Sequence, residues 1–311
     1  MDIMSSNTQG VMRVLIVHFN TPELTGRLVR ELPRQTHHGR SVSVHILDNA
    51  STSQNLQALR ANTEGLQDVT LAVSDENVGF GEGMNTLASS EIIDESDVLW
   101  LLNSDTRLLE GCLEGLEGEL DSGDFDVISP LICSGDGTDS WIWYCGGRID
   151  TNEMRVKIPL FGSDLEKAPR RPFETEFAAG TALMMRASTF HAIGGFPRGY
   201  FLYWEDAYFS WKARSLGFRL GIVPSAHLWH HVGASSGSGL SVTYYYWAAR
   251  NRFTFARDIG FGRRRLIVAR GGVESLRPVA RALLIEREGR LRKTSAAIRG
   301  TLHGLRLGSR M

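Results

Sequence analysis

The chain has 311 residues, 42% of them hydrophobic, with a formal net charge of -1. That is enough to bury a core in one large domain or two modest ones. Its three cysteines, Cys112, Cys133 and Cys145, are odd in number and lack metal-finger spacing, which argues against a disulfide framework or a zinc site. Residues 1–10 are polar and lack the apolar centre of a signal peptide. No apolar run approaches the ~18 residues of a membrane span. A reducing, cytoplasmic setting is therefore expected, with any membrane contact peripheral and on the inner face.

The first hundred residues alternate strand and helix patterns. Residues 14–19 form a short β-branched run that ends at Asn20, and Pro22 suits the start of a helix carrying Leu24, Leu28 and Val29. Residues 42–47 read as a second strand ending at Asp48-Asn49, followed by a helix with Leu56 and Leu59. Residues 69–73 read as a third, followed by Glu76-Asn77-Val78-Gly79-Phe80-Gly81 and a helical pattern over 84–93. Residues 98–102 are continuously apolar, as in a strand buried on both faces, and run into Asn103-Ser104-Asp105. Such alternation predicts an α/β fold with a mostly parallel sheet flanked by helices. Ligands in such sheets bind beyond the carboxyl ends of the strands, where Asn20, Asp48, Asn77 and Asp105 fall.

Residues 134–176 are less regular, with Trp141, Trp143 and Tyr144 near the start, and read as loops and short strands around a site. Regular patterning resumes at Ala178, predicting helices over 184–193 and 209–216 and a strand over 220–223. The tail is basic: residues 262–311 carry 13 Arg and Lys against 3 Glu. Leu276, Val279, Ala280, Leu283 and Leu284 follow helical spacing, and Pro278 is expected in that helix's first turn. Leu291, Ile298, Leu302 and Leu305 line a second helical pattern. An Arg-rich amphipathic tail can dock on an anionic membrane; the alternatives are a solvated appendage or a homodimer contact.

Three polar motifs offer chemistry, each with a plainer reading. Asp105 can bind a divalent cation that also grips a diphosphate, or Asn103-Ser104-Asp105 can cap a helix near Leu108. Glu205-Asp206, flanked by Phe201, Tyr203, Trp204 and Tyr208, can supply a base of raised pKa, or favour a helix macrodipole. His230-His231 can supply a metal ligand or a structural imidazole. Only one of the two faces a given side of an extended segment. Gly79-Phe80-Gly81-Glu82-Gly83 is only a weak dinucleotide fingerprint, because it follows the third strand and its last glycine arrives a residue early.

In order and spacing, the chain resembles an inverting family 2 glycosyltransferase of the GT-A fold, rhamnosyltransferase-like branch. The residues that carry the likeness are Ile16 to Asn20, Asp48-Asn49-Ala50-Ser51, Glu76 to Gly81 with Asn85, and Asn103-Ser104-Asp105. They continue through Cys145-Gly146-Gly147, Gly180-Thr181-Ala182, Gly194-Gly195-Phe196, residues 201–206, Pro224, His230 and residues 246–252. The resemblance implies a catalytic domain over 12–257 and a basic helical extension over 258–311. It implies that Asp48 binds the nucleotide base, that Asn20, Asn77 and Gly79 line the nucleotide pocket, and that Asn103 lies near the ribose. Asp105 and His230 would hold Mg2+ or Mn2+, Asp206 would be the general base, and Glu205 would lie in the acceptor site. The donor would be a dTDP- or UDP-sugar, rhamnose or another hexose. The acceptor would be a saccharide, a lipid-linked saccharide or a small molecule, in cell-wall or polysaccharide synthesis. Two departures stand out: Asn103 replaces the first Asp of the metal motif, and Tyr208 replaces an acid after Glu205-Asp206. The competing reading is a catalytically silent nucleotide-binding scaffold of the same fold. A nucleic-acid binder is disfavoured, because basic and aromatic residues do not interleave.

Overall fold

The computed structural model describes residues 10–32, 39–135, 139–231, 240–262 and 264–307. Residues 1–9 and the small residues Gly233 to Ser236 lie outside this set. Four strands, β1 (Met12–His18), β2 (Val42–Asn49), β3 (Val69–Ser74) and β4 (Val98–Asn103), are parallel and ordered β3-β2-β1-β4. Helices α1 (Pro22–Glu31), α2 (Ser53–Thr63) and α3 (Phe80–Ala88) join them up to the last crossover. The strands are apolar throughout because alternate side chains feed two cores. Val14, Ile16, Trp100 and Leu102 meet Leu28 of α1 and Leu59 of α2 on one face. Leu15, Leu47, Leu99 and Leu101 meet Met84 of α3 on the other. Because β4 returns to the far side of β1, the strand order reverses there and leaves a crevice at the strands' carboxyl ends.

The second half completes a mixed sheet. Its elements are β5 (Thr106–Leu108), α4 (Cys112–Ser122), β6 (Val127–Ser134), β7 (Trp141–Tyr144), β8 (Arg148–Asp150), β9 (Arg155–Lys157), β10 (Ser163–Asp164) and β11 (Phe173–Glu174). After these come β12 (Ala182–Arg186), α5 (Ala187–Ile193), α6 (Glu205–Ser215) and β13 (Leu220–His230). The helix expected over 184–193 begins as strand and is helical only from Ala187. Met184, Met185 and Arg186 belong to β12, which is antiparallel to both β4 and β6. A central strand buried on both faces shows no period-2 pattern, so its run merged with the α5 pattern in the sequence.

The chain ends in α7 (Val242–Asp258), α8 (Arg264–Ile267), α9 (Ala269–Leu284) and α10 (Arg290–Leu307). Gly300 and Gly304 bring α10 onto α7: a Cβ at either would lie 2.2 Å from the Tyr246 carbonyl or 2.7 Å from that of Arg250. Pro278 is inside α9 rather than in its first turn. The helix continues through it, with Ser275 and Ala282 on either side buried and Ser275 bonded by Arg252 of α7. Most apolar residues of α9 face outward, Val273 being 68% exposed, Leu276 65% and Leu284 75%, while Val279 packs against Tyr245, Ala282, Ala296 and Ala297. Among the described residues no helix is long and apolar enough to cross a membrane.

Candidate active site

The crevice floor is set by the ends of β1 and β2. His18 pairs in register with Asp48, and both are fully buried. His18 Nδ1 bonds Thr25 Oγ1 at 2.7 Å, and burial lowers the imidazole to about 4, with the Asp48 charge pulling it upward. Asp48 Oδ2 accepts from Ser51 N–H at 3.1 Å. Asp48 Oδ1 and His18 Nε2, 3.8 Å apart, are buried without a hydrogen-bond partner. Asn20 stands at the rim in the left-handed region (φ 56). Its Oδ1 accepts from Thr52 N–H and Asn55 Nδ2, both at 2.9 Å, and latches the β1 exit to α2.

Asn77 and Gly79 are held by a residue to which sequence reasoning gave no role, Asn49. Its Nδ2 donates to Asn77 Oδ1 (3.0 Å) and the Gly79 carbonyl (3.2 Å), and its Oδ1 accepts from Val78 N–H (2.9 Å). Its place beside Asp48 at a strand end was the available signal. Gly79 has φ +87, and a Cβ there would lie 2.2 Å from the Phe201 carbonyl. Phe80 N–H donates to that same carbonyl at 2.9 Å. The loop after β3 is thereby fastened to the loop that precedes α6.

Asp105 and His230 are brought together by strand pairing. β5 runs antiparallel to β13 with Thr106 opposite His230, and His231 N–H donates to the Asp105 carbonyl at 3.0 Å. His230 Nε2 then lies 3.2 Å from Asp105 Oδ1, while the His231 side chain is exposed. The imidazole turned to Asp105 is therefore that of His230. Trp143 packs edge-to-face on it at 4.6 Å, and its Nδ1 is buried without a partner. Asn103 N–H donates to the Thr181 carbonyl (2.9 Å), and its own carbonyl accepts from Thr106 Oγ1 (2.8 Å). Asn103-Ser104-Asp105 thus turns from one strand into another, not into a helix. Among the described residues no group of three or more His, Cys, Asp and Glu gathers around a point. A carboxylate and an imidazole alone fit an ion that takes its remaining ligands from a diphosphate and water.

Glu205 and Asp206 open α6 and diverge. Asp206 Oδ2 accepts from Gly180 N–H at 3.3 Å, and Oδ1 from Ala207 N–H at 2.8 Å. Burial pushes this carboxyl up to about 6, against the pull of those N–H bonds. Burial raises Glu205 well above the usual carboxylate range, and the neighbouring Asp206 charge raises it further. Glu205 Oε2 is buried and unpaired, beside a cavity of about 300 Å³ lined also by Val78, Gly81, Arg198, Phe201 and Trp247. Tyr203 links the two acidic clusters: partial burial, then Tyr244, Glu205 and Asp105, push its hydroxyl up to about 12.

A reversed strand order with polar strand ends, a carboxylate–imidazole pair and two acids opening α6 accord with a GT-A nucleotide-sugar glycosyltransferase. The chain belongs to glycosyl transferase family 2, which it matches over residues 13–194. An N-acetylglucosaminyl-diphospho-decaprenol L-rhamnosyltransferase of Mycobacterium tuberculosis (strain H37Rv) is 27% identical over 229 residues, 64% of this chain and 69% of that protein. GalNAc-T7, solved with UDP, GalNAc and Mn2+, has a TM-score of 0.64 at 17% identity, covering 93% of this chain and 54% of that one. The mannosyltransferase PcManGT from Pyrobaculum calidifontis, solved with GDP-Man and Mn2+, has a TM-score of 0.57 at 14% identity, covering 97% and 87%. At these identities the likeness to the two structures is one of fold.

Proposed function

We propose that the protein transfers a hexose, rhamnose being the first candidate, from a dTDP- or UDP-linked donor to a hydroxyl of a lipid-linked saccharide, with inversion. The observation that carries this reading is the meeting of Asp105 with His230, 3.2 Å apart, just past the carboxyl end of β4. Asp105 and His230 would hold Mg2+ or Mn2+, and such an ion would supply positive charge against the departing diphosphate. The two solved relatives contain Mn2+ with a nucleotide or nucleotide sugar, which supports a divalent ion. Asp48 offers its unpaired Oδ1 to the base, and Asn20, Asn77, Gly79 and Asn103 line the nucleotide pocket.

Asp206 is the general base. Its carboxylate takes the proton of the acceptor hydroxyl as that oxygen bonds to the anomeric carbon, while the bond from that carbon to the diphosphate oxygen breaks. The displacement is a single step, so no enzyme nucleophile is needed. Glu205 lies on the acceptor side, where burial disfavours its charged form. The lipid-linked acceptor is suggested by the name of the mycobacterial relative. It accords with residues 12–257 as the catalytic part and residues 258–311 as an attachment to the inner, anionic face of a membrane. That attachment is supported by the outward apolar stripe of α9 and the arginines beside it.

The test is a panel of nucleotide sugars read as nucleotide release with Mn2+, with Mg2+ and with chelator. One dTDP- or UDP-hexose should be turned over, and chelator should stop it. Asp206→Asn should lower kcat by roughly 10²–10⁴-fold with donor binding retained. A panel with neither release nor binding would overturn the reading, and normal turnover by Asp206→Asn would reject the base.

A further inference from the structure

The segment that delivers Glu205 and Asp206 is held in an unfavourable backbone conformation. Phe201, Tyr203 and Trp204 have φ of 62°, 66° and 76°, three left-handed non-glycine residues in four. Each such residue is disfavoured by its own Cβ, so a run of them persists only where its surroundings over-determine it. α7 supplies those surroundings with one face. Tyr244 meets the Tyr203 ring at 5.0 Å, and Trp247 stacks on Phe201 at 4.9 Å. The Ala248 carbonyl accepts from Trp204 Nε1 at 3.1 Å, and Phe255 lies 5.2 Å from the same indole. These positions, with Asn251, follow the i, i+3, i+4, i+7 spacing of one helical stripe.

Asn251 stands at the centre of that stripe, with none of its surface exposed. Its Nδ2 reaches three carbonyls of the strained segment: Tyr200 at 2.5 Å, Leu202 at 2.9 Å and Tyr203 at 2.9 Å. Its Oδ1 accepts from Arg250 Nη1 at 2.5 Å, and the same Nη1 donates to the Gly199 carbonyl at 2.8 Å. The two hydrogens of one side-chain amide are shared among these three carbonyls, and that of Tyr200 also accepts from Leu202 N–H at 2.8 Å. On the opposite side the segment is fastened by Phe80 N–H on the Phe201 carbonyl.

We propose that Asn251 is a positioning residue: its amide gathers the carbonyls of residues 200, 202 and 203 and so fixes the strained segment that aims Asp206. This rests on the reading of Asp206 as the base, but its first test does not. Amide hydrogen exchange, followed by mass spectrometry on the full chain without ligand, reports whether the segment is clamped. In Asn251→Asp, whose carboxylate repels the carbonyls, and in Asn251→Ala, peptides spanning 200–206 should exchange roughly tenfold faster while those of β1 and β4 keep wild-type protection. With the nucleotide sugar that the wild type turns over, kcat should fall by about a hundredfold while the donor KM stays near the wild-type value, since only the base is misplaced.

Should the Asn251 variants not fold, Trp204→Phe removes the bond to the Ala248 carbonyl and part of the indole's contact with Phe255, and should shift both readouts the same way, by less. Unchanged exchange over 200–206 would overturn the clamp. Faster exchange with unchanged kcat would overturn its catalytic purpose. A donor KM that rises in step with the loss of kcat would assign Asn251 to the fold at large. If the wild type turns over no donor, the function proposed above fails, and the exchange comparison still decides the clamp.

Discussion

Asp206 has to be ionised to accept a proton, yet its burial favours the neutral acid and pushes it up to about 6. Nucleotide release should therefore rise with pH through about 6 and level off above it. A pH–rate profile of kcat checks this, and a flat profile across that range would remove Asp206 from the role. The same burial bears on stability. A carboxyl raised in the folded state above its unfolded value contributes stability below the unfolded pKa, and loses it as pH rises through the folded one. Above about 6 the ionised Asp206 is thus a burden on the fold. Asp206→Asn keeps an acceptor for the Gly180 or Ala207 N–H and removes the charge. It should melt a few degrees above the wild type at pH 8 and close to it at pH 4. An inactive variant that gains stability only at the higher pH would mark the carboxylate as a group kept for its chemistry.

The elements show which features sequence can and cannot reveal. α10 lies on α7 through Gly300 and Gly304, with no room for a Cβ between backbones. Gly300→Ala should lower the denaturant midpoint by an amount corresponding to about 1–3 kcal/mol, because the clash is with backbone that cannot rotate away. An unchanged midpoint would mean that the helices do not meet there. In the sequence these glycines are two small residues in an Arg-rich run, and close approach leaves no pattern of its own. β1 to β4 were legible because each apolar run ends in a polar residue, and the first three precede a helical pattern. β12 was not, because a strand buried between β4 and β6 looks like the start of the helix that follows. Of the site, the residue types were visible but not their meeting: the β5–β13 register decides that His230 rather than His231 turns to Asp105. Asn251 acts through backbone carbonyls, which carry no sequence signature, and Asn49 showed only its place beside Asp48 at a strand end.

At the scale of the whole molecule, the C-terminal helices present a surface that a water-facing appendage would not need. α9 buries its small residues, Ser275 and Ala282, and turns Val273, Leu276, Leu283 and Leu284 outward. Arg270, Arg277 and Arg281 recur at helical spacing along one flank of that stripe and are exposed. Leucines that enter the acyl boundary contribute about 1.5–3 kcal/mol each, and arginines near an anionic surface about 1 kcal/mol each. The protein should therefore float with phosphatidylglycerol–phosphatidylcholine vesicles at low salt. It should be released by high salt or by pure phosphatidylcholine, because the charge contribution is screened within a Debye length. Leu276→Glu combined with Leu284→Glu should weaken vesicle binding by more than about tenfold. Nucleotide release in solution should be unaffected, since neither residue approaches the crevice. If the wild type does not float and instead sediments as a dimer that the same pair of substitutions dissociates, the stripe joins two copies.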